Sequence, residues 1–343
     1  MKTLSIISRK FLILSALLFL LSACLSSEAT SIKYEEEGVR IFKIGHVVQG
    51  GHIWNQTALK FGEELERLSE GQMQVDIFPA SQLGQERDMA RLMETGALDF
   101  AFFTNAYMAT RQDSLNAWFM PFQFETLTEA NEVRKSEPVQ QMLAELEIQG
   151  LLGLDFVFAG NRHILMQDTH VFSPEDLRGQ KLRIIGSPAM QSFWKQTGVG
   201  PTAMPLSEVY TALQTGVIDG LDIDLDALVA EKYYENADKL TLTNHMTFPS
   251  LVAMSQHVFD DLTTEEQKII LEAMQIAADW GNEEAIKREE ANLQTLIEAG
   301  VQVEYFDNLE SFQQIKENIE EEFMEKSSIV EDFLELPQKG GAS

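Results

Sequence analysis

An α/β fold in two domains is what this sequence predicts, and three observations predict it. Its 343 residues suffice for roughly two domains. Strand-like alternation and helix-like periodicity take turns along the first part of the chain, and the same succession starts again near residue 160. From Thr263 a helical pattern then runs with few breakers to about Ala299, roughly 50 Å at 1.5 Å per residue. That is longer than one small domain, so this helix is expected to cross both.

Element by element, Ile41 to Val47 alternates as a first strand. His52 to Ser69 is helical, with Trp54, Ala58, Phe61, Leu65 and Leu68 on one face and Gly71 ending it. Met73 to Phe78 is a second strand, Glu86 to Glu94 a helix, and Leu98 to Phe103 a third strand. This order predicts a parallel sheet with helices on its faces. Leu127 to Gln149 reads as one helix, and Gly150 to Ala159 is an apolar run typical of a doubly covered strand. Ser173-Pro174 opens a short capped turn. Arg183 lies in an apolar strand, and Ser187-Pro188 starts a helix. A second helix covers Ser207 to Thr215, and a tight turn is expected at Asp219-Gly220. Ala227 to Asn236 is helical, Ser250 to Ser255 a strand, and Thr263 to Glu266 a capping box opening the long helix, with Gly281 a candidate bend. A strand from Val301 to Tyr305 and a helix bearing Phe312, Ile315, Ile319 and Phe323 finish the fold before a polar tail.

The formal charge of −28 excludes nucleic acid as a partner, because a phosphate backbone needs a basic footprint. It leaves a small anion in a locally basic pocket open. Lys2, Arg9 and Lys10, then the apolar Phe11 to Leu21, then Leu21-Ser22-Ala23-Cys24 have the layout of a secretory signal. The last four residues resemble a lipobox, which makes Cys24, the single cysteine, the expected lipidation site and membrane anchor. The expectation is an exported, lipid-anchored protein facing the periplasm or the cell exterior. Residues 24–40 then read as a tether.

No His or Cys set has metal-ligand spacing, and no nucleophile elbow, phosphate loop or dinucleotide fingerprint occurs, so no metal, cofactor or catalytic residue is expected. Asp222-Ile223-Asp224-Leu225-Asp226 approaches a calcium loop, but Ala227 and Tyr233 stand where that loop needs Gly and Glu. A lipid-anchored hydrolase has no motif in its favour. Arg183 is different. An arginine on a strand beside a helix start can grip a carboxylate with two parallel hydrogen bonds, while the helix N-terminus adds N–H donors. Read alone, the same stretch also fits an arginine paired to a structural acid.

Leu182-Arg183 with Ser187-Pro188, Pro201-Thr202 with Met204-Pro205, and Ser207 through Gly216 to Asp219-Gly220 together resemble the signature of the solute receptors of TRAP transporters, the tripartite ATP-independent periplasmic systems. Ser81 to Arg87, Gly96 with Leu98-Asp99, and Ser173 to Gly179 fall in the same family's order, so the resemblance covers about residues 40–330. It implies a clam-shell, periplasmic-binding-protein-like fold with hinge strands. Domain I would comprise residues 41–159 and 249–288, domain II residues 160–248 and 289–336, with a tail at 337–343. It further implies a small organic acid as ligand, membrane permease subunits as partners, no catalysis, and Arg183 as the carboxylate clamp assisted by Arg162. Phe102, Thr104 and Asn105 end a strand at the edge where open α/β sheets bind ligands. Glu86 starts a helix that can face the same crevice, and Gln49, His52 and Trp54 surround the first strand-to-helix loop, with core packing the favoured role for Trp54. Asp222 and Asp224 stand where many members continue Gln-Glu-Asn-Pro, and Leu206 replaces a common aromatic. These acids would repel a second carboxylate and accept hydroxyls, which favours a sugar acid over a C4-dicarboxylate. A receptor that presents its ligand to a signalling protein would carry the same sequence.

Overall fold

The computed structural model describes residues 38–336. The export signal, Cys24, nearly all of the tether and the tail lie outside the described residues. The chain begins with β1 (Arg40–His46), α1 (Ile53–Leu68), β2 (Met73–Phe78), α2 (Glu86–Glu94) and β3 (Phe100–Thr104). Then come α3 (Asn105–Met108), α4 (Leu127–Val133), α5 (Glu137–Ala144) and β4 (Leu151–Asn161). The second half holds β5 (His163–Met166), β6 (Lys181–Ile184), α6 (Pro188–Gln196), β7 (Gly200–Ala203), α7 (Leu206–Gln214), β8 (Gly220–Ile223), α8 (Leu225–Ala230) and β9 (Lys239–Leu242). It closes with β10 (Thr247–Ser255), α9 (Gln256–Asp260), α10 (Thr264–Glu298), β11 (Gln302–Tyr305), α11 (Gln313–Met324) and α12 (Ser328–Leu334).

These elements form an α/β fold with two sheets. The first has the order β2-β1-β3-β10-β4 and the second β11-β9-β5-β8-β6-β7. Neither is wholly parallel, which corrects the sequence expectation. In the first, β1, β2 and β3 run parallel, but β10 lies antiparallel between β3 and β4. In the second, β5 runs antiparallel to both β8 and β9. Local periodicity reports a strand's buried face and not its direction, so the two reversals left no mark in the pattern.

The reversals come from how the chain passes between sheets. Only Arg162 separates β4 in the first sheet from β5 in the second. The return passage, residues 243–246, runs beside it: Arg162 N–H donates to Met246 O at 2.6 Å and His245 N–H to Arg162 O at 3.2 Å. Two hydrogen-bonded crossings side by side thus link the sheets.

α10 is the third link. Its Ala273, Ala277 and Ala278 join the apolar core of the first sheet, and its Leu296 joins the core of the second with Leu213, Leu221 and Leu240. Gly281 sits inside this unbroken helix. A Cβ there would lie 2.3 Å from Thr57 Oγ1 on α1, so the glycine serves a close approach of two helices. The helix expected from Leu127 to Gln149 is split into α4, α5 and a 3₁₀ turn. Pro138 in the first turn of α5 has no N–H and would clash with the carbonyl a turn earlier in a continuous helix. The helix expected to Asn236 ends at Ala230, because Lys232 adopts φ +56°.

Candidate ligand-binding site

A cavity of about 430 Å³ opens between the two sheets. Its walls are the segments that follow the carboxyl ends of parallel strands: Val47 and Val48 after β1, Thr104 at the end of β3, Ile185 and Gly186 after β6, and Asp224 after β8. Open α/β sheets bind ligands there because the strand ends leave a crevice and helices start toward it.

Arg183 stands in this wall and is only 2% exposed. Its Nε and Nη2 both donate to the carbonyl of Met204, at 3.1 and 2.9 Å. Its Nη1 has no hydrogen-bond partner among the described residues, and no carboxylate lies in ion-pair range of it. Burial pushes this guanidinium down to about 10. A buried cation with no ion-pair partner is expensive, and it keeps its charge at neutral pH all the same.

Arg162 is its opposite. It is fully buried, and three of its donors are engaged: Nε to Asp222 Oδ1, Nη2 to Asp222 O, and Nη1 to Asp224 Oδ2 at 2.9 Å. Its guanidinium also lies 4.4 Å over the ring of Phe248. Asp222 is shared further, accepting from Trp194 Nε1 at 2.8 Å with His245 Nε2 at 3.4 Å. Burial would raise the Asp222 carboxyl, but Arg162 and His245 outweigh it and hold it well below the usual carboxylate range. Asp224 uses its other oxygen to cap α8 through Ala227 N–H at 2.8 Å.

Across the cavity, Glu86 accepts from the N–H of Thr104 at 2.6 Å and from its hydroxyl at 3.1 Å. Burial raises this carboxyl to about 7 despite both bonds and the field of Arg183. Contacts between the two sides converge on Asp226. It accepts from Ile53 N–H at 2.7 Å, thereby capping α1, and from Asn292 at 3.0 Å and Arg288 at 2.7 Å on α10, with His52 Nδ1 at 3.7 Å. Gln85 Nε2 adds a 3.4 Å bond to Ser207 Oγ. The three aspartates of the calcium-like run thus have three separate tasks.

Of the residues expected from sequence, the structure gathers Arg183, Arg162, Glu86, Thr104, Asp224, His52 and Trp54 on the cavity wall. Asp222 lies behind Arg162, outside the wall. Phe102 faces the core, edge-on to His46. Asn105 is buried and donates to Leu115 O at 2.8 Å. Gln49 is exposed, its N–H 3.3 Å from Glu231 Oε1. Trp54 has both expected characters: its ring stacks on Phe248, it lines the cavity, and its buried Nε1 has no partner among the described residues. Val47, Val48, Ile185 and Ile223 were missed as wall residues, although their place just after, or at the end of, a strand is the signal that finds them. Phe248 has no such signal, because it arrives from β10.

The sequence profile of the bacterial extracellular solute-binding proteins, family 7, matches residues 44–327. The chain therefore belongs to that family, the receptors of TRAP transporters, which bind small acids outside the cytoplasm for membrane permeases and are not enzymes. An uncharacterised protein of Haemophilus influenzae is 31% identical over 83% of this chain and 87% of its own. The sugar acid binding protein DctPAm of Advenella mimigardefordensis, solved with galactonate, is 27% identical with a TM-score of 0.82, covering 86% of this chain and 97% of its own. A TRAP periplasmic solute-binding protein of Bordetella bronchispeptica, with density assigned to pantoate, is 26% identical with a TM-score of 0.82, covering 87% and 99%.

Proposed function

We propose that this receptor captures an organic anion with one carboxylate and further hydroxyls, of the sugar-acid kind, and that Arg183 is its clamp. One observation carries the reading: of the two buried arginines in the cavity wall, Arg162 is ion-paired to Asp222 and Asp224, while Arg183 has, among the described residues, a free Nη1 and no carboxylate at ion-pair distance. A single carboxylate matches a single unpaired guanidinium. A second carboxylate would meet the net negative charge of the Arg162 trio. The ligands named for the two solved relatives, galactonate and pantoate, are both hydroxylated monocarboxylates.

In this reading residues 41–159 with 249–288 form one lobe and residues 160–248 with 289–336 the other. The lobes hinge at the paired crossings around Arg162 and His245. Ligand bound to Arg183 from one lobe and to Glu86 from the other favours closure, since only the closed state makes both sets of contacts. A lipid on Cys24 holds the receptor at the membrane surface beside its permease. A thermal-shift screen of aldonates, uronates and C4-dicarboxylates tests the ligand class. Stabilisation by hydroxylated monocarboxylates supports it, and stabilisation by succinate or malate alone overturns it.

A further inference from the structure

The cavity's two walls differ in chemistry. The wall from the first sheet offers the polar side chains of His52, Gln85, Glu86, Thr104 and Tyr107. Among the described residues, the wall from the second sheet has only Arg183 and the mutually paired Arg162 and Asp224 as polar side chains. The remainder of that wall includes Ile185, Ala203, Leu206, Ile223 and Ala227. A hydroxyl pressed against these side chains has no side-chain partner, and burying one unpaired is unfavourable. A methyl or methylene there gains from leaving water.

Building on the monocarboxylate reading, we propose that the ligand is two-faced: hydroxyls along the edge toward Glu86, and aliphatic carbon against Ile223 and Leu206. These two residues then set specificity by rejecting acids hydroxylated at every carbon. Both are held in place. Ile223 is 1% exposed and ends β8 opposite His163. Leu206 opens α7, and its carbonyl accepts from Tyr233 Oη at 2.9 Å.

The test is calorimetry with two pairs of monocarboxylates. Erythronate and pantoate share a chain length and two hydroxyls but differ at the third carbon, which bears a hydroxyl in one and two methyls in the other. Galactonate and its 3-deoxy analogue form the longer pair. The expected result is at least tenfold tighter binding of the less hydroxylated member of whichever pair binds, and loss or reversal of that preference in Ile223→Asn. Leu206→Asn, at the half-exposed first turn of α7, gives the same readout should the strand variant misfold. Tighter binding of the fully hydroxylated members, or a preference unmoved by both variants, overturns this inference and leaves the Arg183 reading intact. If none of the four binds, this inference falls, while the hydroxylated-monocarboxylate reading stands or falls on the thermal-shift screen with its uronates.

Discussion

Replacing Arg183 with methionine separates what the residue does for the fold from what it does for the ligand. Burial moves this guanidinium from its ordinary 12.5 to about 10, a cost of about 3 kcal/mol for the unliganded charge. Against that stand its two hydrogen bonds to Met204 O, worth about 1.5 kcal/mol each as charged donors. The two nearly cancel, so ligand-free Arg183→Met should unfold within roughly 3 °C of the wild type, given about 2–4 °C per kcal/mol in chains of this order. Binding has no such compensation. Truncating one partner of a buried charged pair costs about 2–5 kcal/mol, or roughly 30- to 4,000-fold in Kd. Calorimetry with the best ligand of the screen, alongside thermal unfolding without ligand, reads both quantities. Affinity retained within threefold would refute the clamp. A ligand-free melting temperature lowered by more than about 10 °C would show that Arg183 is structural.

Three further outcomes follow from the same geometry. Glu86 takes up its proton near pH 7 in the folded chain against 4.5 ordinarily, so its cost to stability builds as pH rises from about 4.5 to about 7 and is complete above that. Glu86→Gln should therefore match the wild type in thermal stability at pH 4.5 and exceed it at pH 8, and equal stability at both pH values would contradict the assignment. Gly281→Ala gains about 1 kcal/mol of helix propensity but drives a Cβ into Thr57, and overpacking of about 1–3 kcal/mol should win. Adding Thr57→Ala should restore stability in urea denaturation, and a stabilising single variant would show that α1 and α10 can part. Asp226→Ala strands the N–H of Ile53, Asn292 and Arg288, and should cost about 3 kcal/mol in the same assay. A cost under about 1 kcal/mol would mean that solvent replaces it.

The sequence was most legible where a single local rule decides. α2 starts at Glu86 behind a capping box, β2 alternates apolar and polar residues from Met73 to Ile77, and α10 opens on Thr263 and Glu266. It was least legible in the second sheet. β7 reads Gly-Pro-Thr-Ala, which argues against a strand until one sees that it is an edge, where a proline's missing N–H faces no neighbour. β8 carries a fully buried Asp222, acceptable only because Arg162, Trp194 and His245 surround it from distant parts of the chain. The site divided the same way. Arg183 could be named from its motif, but nothing local reveals that it has no ion-pair partner among the described residues while Arg162 has two. Likewise Phe102 and Asn105 sit at the right strand end but turn into the core, where Phe102 meets His46 and Asn105 donates to Leu115 O.

The insertion of β10 between β3 and β4 also governs when this protein can fold. A ribosome that has released everything through β4 has made every other strand of the first sheet, yet β3 and β4 have no common edge to join. The gap closes only when residues 247–255 emerge, and the second sheet waits longer still, for β11 at Gln302–Tyr305. Long-range pairing of this kind is slow, since loop closure must precede any return in contacts. For a member of an extracellular family, whose chain has to be threaded through a membrane before it works, that delay is useful. With this strand order, neither sheet can be completed until late in the synthesis of the chain.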